Sequence, residues 1–210
     1  MKKQDTALLY LIAIFAGSLV IANVLASKIL NFAGFMVPAG VLAYSVTFIC
    51  TDVLGELWGK EEANKMVKAG FITTIVVLAL IQLSIIAPSA PFWKGQSSFV
   101  AVLGSSMRII IASLIAYLVS QSHDVWIFHL LKEKMSGKHL WLRNNLSTTI
   151  SQLLDTIIFI TIAFVGKMPI MPMIFGQFIV KMIIAIIDTP IVYLVVYTLK
   201  SKIPALAEQN

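Results

Sequence analysis

A single cysteine in 210 residues excludes an internal disulfide, and Cys50 carries no further information about compartment. Charge is nearly as scarce: 12% of the chain is Asp, Glu, Lys or Arg, against 59% hydrophobic residues. A mean hydropathy of +0.91, with apolar runs at 8–26 and 72–87, excludes a soluble globular domain. HExxH and GxSxG are both missing, and the three histidines are scattered rather than clustered as ligands. Metal-dependent and serine hydrolases therefore find no support. Paired acids, which can split their proton affinities in aspartyl hydrolases, are the one hydrolytic arrangement left.

What the chain does have is length in apolar segments. A helix crossing the hydrocarbon needs about 20 predominantly apolar residues. Six stretches qualify, at roughly 7–30, 36–57, 66–87, 106–131, 145–165 and 171–199. The spacing predicts an all-α integral membrane protein of six transmembrane helices, forming one domain over 1–210. Met1-Lys2-Lys3 before the first stretch imitates a signal peptide, but about twenty apolar residues exceed the usual 7–15 of such a segment, so a retained first helix is expected. The longest outer connection is expected at 88–105, with Pro88 and Pro91 breaking helix and 97–104 forming a short interfacial helix.

The net charge of +6 follows from topology. Lys2, Lys3, Lys60, Lys65, Lys68, Lys132, Lys134, Lys138, Arg143, Lys200 and Lys202 fall in alternate connections, eleven of the sixteen basic residues. The opposite connections hold only Lys94 and Lys167. Excess Lys and Arg marks the cytoplasmic side, which puts both termini inside and leaves the basic patches no nucleic-acid role.

Against this background five acids stand out inside apolar stretches: Asp52, Glu56, Asp124, Asp155 and Asp188, half of the ten in the chain. An ionised side chain at bilayer depth costs several kcal/mol unless paired or facing water. Five such costs point to a polar cavity that handles a solute. At about 1.5 Å rise per residue, Asp52 and Asp124 lie about 12 Å from the inner loops, Asp155 about 15 Å from Asn145, and Asp188 about 18 Å from Lys200. Lys28, Arg108 and Lys181 fall nearer the outer side, so their depths match these acids poorly. Lys28 and Arg108 are expected to snorkel to the interface, and Lys181 to pair with an acid on another helix.

Helical spacing gathers the polar residues into faces. Asn145, Thr148, Thr149, Gln152 and Asp155 share one face of the fifth span. Asp52 and Glu56 are one turn apart in the second, with Ser45 and Phe48 continuing that face. Gln177, Lys181 and Asp188 lie on one side of the sixth, and Asn23 and Ser27 are one turn apart in the first. Pro190, directly after Asp188-Thr189, predicts a kink bordering either a cavity or an ordinary helix contact. The fragments Ser120-Gln121-Ser122-His123-Asp124 and Ser151-Gln152-Leu153-Leu154-Asp155, each reaching Ile-Phe three residues beyond its acid, repeat S-Q-x-x-D-x-x-I-F, and internal repeats in transporters often bracket the site.

Three segments carry a family resemblance. Tyr44-Ser45-Val46-Thr47-Phe48-Ile49-Cys50-Thr51-Asp52-Val53-Leu54-Gly55-Glu56-Leu57-Trp58-Gly59-Lys60 resembles the signature of the queuosine precursor transporter family, also called vitamin-uptake-transporter-like. Leu142-Arg143-Asn144-Asn145-Leu146-Ser147-Thr148, with Ser151-Gln152 and Asp155-Thr156, is similar to its second signature, and Asp188-Thr189-Pro190 to its third. The resemblance implies the architecture of the substrate-binding subunits of energy-coupling-factor transporters, acting without the ATPase module and without a cofactor. It implies as cargo a 7-deazaguanine, the cyano or aminomethyl precursor of queuosine, or queuine. Partners would be that small molecule, the lipid bilayer and at most further copies of the chain.

Such a cargo suits these residues. A guanine-like edge offers N1–H beside an amino group, a donor pair that one carboxylate accepts. Asp155, Gln152, Asn145, Asp52 and Glu56 could supply partners, joined by Asp188, Lys181 and Asn23, while Phe48 and Tyr44 stack on the base. A substrate-binding subunit that docks on a partner is the competing reading. Ala22 and Ala26 would give its helix-docking face.

Overall fold

The computed structural model describes residues 3–134, 140–203 and 206. Its elements are α1 (Lys3–Leu25), β1 (Ile29–Phe32), β2 (Phe35–Pro38), α2 (Gly40–Trp58), α3 (Lys60–Ile86), α4 (Gln96–Lys134), α5 (Leu140–Phe164) and α6 (Ile170–Lys202). Helices dominate because lipid offers backbone N–H and C=O groups no partners, and a helix satisfies them within one segment. By length and composition α1, α2, α3, Gln96–Ser120 of α4, and α6 can cross a bilayer; the apolar part of α5 is shorter, Thr149–Phe164. Large apolar side chains point outward, among them Leu80, Leu83 and Ile86 of α3 and Ile186, Tyr193, Leu194 and Tyr197 of α6. A face of that extent is a lipid-contacting surface.

Two expectations are corrected. The connection between the first and second spans is not all-α: residues 29–38 form an antiparallel hairpin, with Ile29 opposite Pro38 and Phe32 opposite Phe35. Its two-residue turn is Ala33-Gly34, with φ of 50° and 91°. Both values are left-handed, as the primed hairpin turns require, and glycine supplies one of them without strain. The Asn31 Oδ1 accepts a hydrogen bond from the Gly34 N–H at 3.0 Å and closes the loop. The second correction concerns the outer connection. Helix α4 starts at Gln96 and runs unbroken for 39 residues, so 97–104 is its first part rather than a separate interfacial helix. The only glycine there, Gly104, is a single cost of about 1 kcal/mol and no break.

Close approaches position the helices. Gly59, with φ 86°, is the sole residue between α2 and α3 and reverses the chain. A Cβ on Gly40 would clash with the Ala22 carbonyl and touch the Ala26 methyl, so the start of α2 lies directly on the end of α1. Ala22 and Ala26 are buried there, so their small-residue face serves α2 and not an outside helix. A Cβ on Gly176 would come 2.6 Å from the Met36 carbonyl oxygen, which seats the hairpin on α6. Phe15, Cys50, Leu54 and Met66 lock α1, α2 and α3 together, and Ile109, Ala112, Ile160, Ala163 and Met173 lock α4, α5 and α6. Arg108 does not simply snorkel. Its guanidinium donates to the Ile162 carbonyl at 2.5 Å and the Val165 carbonyl at 2.9 Å, capping the C-terminal end of α5 where carbonyls have no helical partner.

Gly176→Val should destabilise the protein by about 1–3 kcal/mol, the usual cost of overpacking a tight contact. Gly17→Ala, with nothing within 4 Å of the added methyl, should be neutral or mildly stabilising. Thermal unfolding of the two variants in detergent checks this; equal midpoints would mean that the hairpin does not rest on α6.

Candidate functional site

Helices α1 to α5 surround a cavity of about 350 Å³, inside the usual range of small-ligand sites. Its walls are aromatic: Tyr44 and Phe48 of α2, Phe15 of α1, Phe71 of α3 and Tyr117 of α4. Tyr44 meets Phe48 edge to face, with ring centroids 5.2 Å apart and planes at 89°. On α2 the lining residues are Tyr44, Thr47, Phe48 and Thr51, a single helical stripe. The threonine hydroxyls of that stripe are already engaged. Thr47 donates to the Tyr44 carbonyl at 2.6 Å and Thr51 to the Phe48 carbonyl at 2.8 Å. Ser120 of α4 likewise donates to the Tyr117 carbonyl at 3.2 Å. The charged end of the cavity is formed by Asp155 of α5, with Gln152 one turn away on the same face.

Those two side chains are tied to α6. The Lys181 ammonium donates to Asp155 Oδ2 at 2.6 Å and to Gln152 Oε1 at 3.3 Å. Lys181 is 6% exposed and the Asp155 side chain 20%, so the pair is largely out of water. The depth mismatch drawn from helical rise does not hold for this pair. The flexible four-carbon stem of lysine carries its charge along the helix toward the acid. Behind Asp155 lies a smaller cavity of about 50 Å³, reached by Asn23, Gln177 and Lys181, which shares Tyr44, Ser113 and Asp155 with the larger one. Asn23 uses its amide N–H to donate to the Leu19 carbonyl at 2.9 Å. Gln177 Oε1 is buried and has no partner among the described residues.

The remaining sequence candidates lie elsewhere. Asp52 follows Thr51 and is rotated about 100° away from the cavity stripe of α2. It is exposed on the α6 side, within repulsive range of Asp188. Glu56 is exposed as well, its Oε1 3.9 Å from the Lys200 ammonium. Asp188 is buried in α6 outside both cavities, and its Oδ2 has no partner among the described residues. The side chains of Asn145 and Asp124 lie outside the described residues. Of the sequence-derived set, the structure thus brings Tyr44, Phe48, Gln152, Asp155, Lys181 and Asn23 together and sets Asp52, Glu56 and Asp188 apart at the seam of α2 and α6.

Sequence reasoning missed Phe71, Tyr117, Asn64, Thr47, Thr51 and Ser113. A signal existed for part of this set. Ser113, Tyr117 and Ser120 recur at i, i+4 and i+7 in an otherwise apolar helix, the same periodicity that exposed the stripe of α5. No group of three or more His, Cys, Asp or Glu residues is placed to hold a metal among the described residues.

Several apolar helices around a solute-sized cavity with one charged end define a multi-pass membrane protein of the transporter class. The family described as "Putative vitamin uptake transporter" matches residues 38–195. The chain is 32% identical over 178 residues to the probable queuosine precursor transporter of Bacillus subtilis, covering 83% of this chain and 78% of that one. It is 30% identical over 125 residues to the probable queuosine precursor transporter of Haemophilus influenzae, covering 60% and 51%. With the queuosine precursor transporter of Escherichia coli it shares 26% identity over 143 residues, covering 68% and 62%. No solved structure matches the chain. The chain belongs to the queuosine precursor transporter family.

The ion pair can be tested on stability alone. Lys181→Met leaves the Asp155 carboxylate without its buried partner and should cost about 3–5 kcal/mol. Adding Asp155→Leu removes the orphaned charge and should restore most of the loss. A double variant as unstable as the sum of the two single ones would mean that the two side chains do not interact.

Proposed function

We propose that this protein carries a 7-deazaguanine precursor of queuosine, the cyano or aminomethyl base or queuine, across the cell membrane without an ATPase of its own. The observation that carries this reading is the cavity end built from Asp155, Gln152 and Lys181 between aromatic walls. A planar bicyclic base stacks on such rings. The Asp155 carboxylate accepts from the N1–H and amino group, since each of its oxygens has two lone-pair sites and Lys181 uses one. Gln152 and Lys181 supply donors for the 6-carbonyl of the base. The printed names of the three relatives support the same cargo class. In this reading the protein is a carrier and not an enzyme, and its positive loops put both termini on the cytoplasmic side.

The alternative, a substrate-binding subunit waiting for an ATPase partner, lost its main support when Ala22 and Ala26 proved to be filled by α2. A facilitator fits better than a proton-driven carrier. The acid at the cavity is held by a lysine, which also donates to Gln152, and serves recognition, and net accumulation then follows from consumption of the base inside the cell.

Asp155→Asn replaces an acceptor with donors facing donors and should weaken binding tenfold to a hundredfold, the cost of one charged hydrogen bond of about 1.5–3 kcal/mol. Asp52→Asn and Glu56→Gln, outside the cavity, should keep affinity within about twofold, as surface changes usually do. Uptake of labelled precursor by cells unable to make it, together with binding to the purified protein, provides the measurement. Normal binding by a folded Asp155→Asn variant would sink the assignment. In liposomes containing only this protein, the base should equilibrate without accumulating. Concentrative uptake under a pH gradient, abolished by a protonophore, would overturn the facilitator reading.

A further inference from the structure

The two cavities are stacked along the helices. On α1 the larger one meets Phe15 and the smaller one Asn23; on α2 the larger reaches Thr51 and the smaller begins at Gly40. On α4 and α5 the order is the same, with Ile109 and Phe159 on the smaller cavity and Tyr117 and Ser151 on the larger. Tyr44, Ser113 and Asp155, which line both, fall at the boundary on their own helices. Four helices thus agree on one axis, and from Gly40 to Thr51 the two spaces cover about 16 Å of helix rise. Two compartments in line, meeting at the Asp155 carboxylate, have the form of a path through the protein.

Their ends differ. The larger cavity reaches Asn64 near the start of α3, an exposed residue beside the charged Glu61, Glu62 and Lys65. No exposed residue lines the smaller cavity among the described ones. The hairpin covers its far end. Pro38 is part of the cavity wall, Val37, 1% exposed, packs in one cluster with Val41 of α2 and Val180 of α6, and the Met36 backbone lies on Gly176. Among the described residues no hydrogen bond joins β1 or β2 to α6. The strands pair with each other, and the Ala39 N–H donates to the Lys28 carbonyl at 2.8 Å across the base of the hairpin. The hairpin can therefore leave α6 as a unit, at the loss of apolar contacts alone and without breaking a helix.

We propose that residues 29–38 are the outer gate of this path, shut here against α6, while the inner mouth stands open beside the turn between α2 and α3. The inference rests on the functional reading above, which puts that turn on the cytoplasmic side. Release of the hairpin from α6 joins the smaller cavity to the outside, and the base then passes to Asp155 and on into the larger cavity. Asp155 and Lys181 stay at the junction and are reached from either side, the arrangement in which a carrier rocks about a fixed site.

Val37→Cys combined with Val180→Cys tethers the hairpin to α6 on oxidation, with the buried Cys50 left in place. In liposomes the oxidised full-length protein should lose uptake of the labelled cyano and aminomethyl bases, and reduction should restore it. Binding of the same bases to the purified oxidised protein should stay at the native level, through the open inner mouth. Gly176→Ala pushes a methyl into the Met36 backbone and favours the open gate. In that background Val41→Cys, at a position buried behind the hairpin, should react several times faster with a membrane-impermeant maleimide added from outside. This labelling decides alone if the tether does not oxidise. Uptake unchanged by the tether, binding lost together with uptake, or labelling of Val41→Cys unaffected by Gly176→Ala would overturn the gate while the functional reading stands. A native chain that neither binds nor carries either base would overturn both.

Discussion

The ion pair between Lys181 and Asp155, 2.6 Å long and mostly buried, is the interaction on which the rest of the site depends. It joins α6 to α5 across the core and fixes the one carboxylate that faces the large cavity among the described residues. The buried Lys181 ammonium is tolerated because the Asp155 carboxylate and the Gln152 side-chain oxygen both accept from it. Asp155 lines both the larger and the smaller cavity, and Lys181 the smaller one.

Close packing by small residues makes that pairing geometry attainable. Gly40 against Ala22 and Gly176 against Met36 bring backbones together where any side chain would hold them apart. The hairpin at 29–38 fills the space between α1 and α2 and rests on α6. It also closes its own backbone hydrogen bonds through strand pairing. Arg108, donating to two carbonyls at the end of α5, keeps the helix that bears Gln152 and Asp155 in register with α4.

The two groups of acids are separated by helix rotation and carry different environments. Asp155 sits on the cavity stripe with a lysine. Asp52, Glu56 and Asp188 lie along the seam of α2 and α6, where Lys200 is near only Glu56. Carboxylates within an apolar stretch thus mark the membrane interior as polar somewhere. They do not by themselves say which of them meet a common space.

Much of the architecture was legible in residue order. Apolar length sets how many helices can cross, because about 20 residues span the hydrocarbon whatever packs beside them. Helical period placed Gln152 and Asp155 on one face, and the acids announced a polar interior. The hairpin escaped because a turn with one glycine between short apolar runs has the same composition as the helix ends around it. Asp52 and Glu56 could not be told from Asp155 by spacing, since one residue of rotation, about 100°, moves a side chain from cavity to seam and only helix contacts set that rotation. The Lys181 partnership and the small cavity beside Gln177 arise from helices that meet only after folding. Residue order determined the membrane, the helices and the chemical types available to the site; the tertiary structure alone decided which of those groups share a cavity, because that depends on how neighbouring helices rotate and how closely their glycines let them approach.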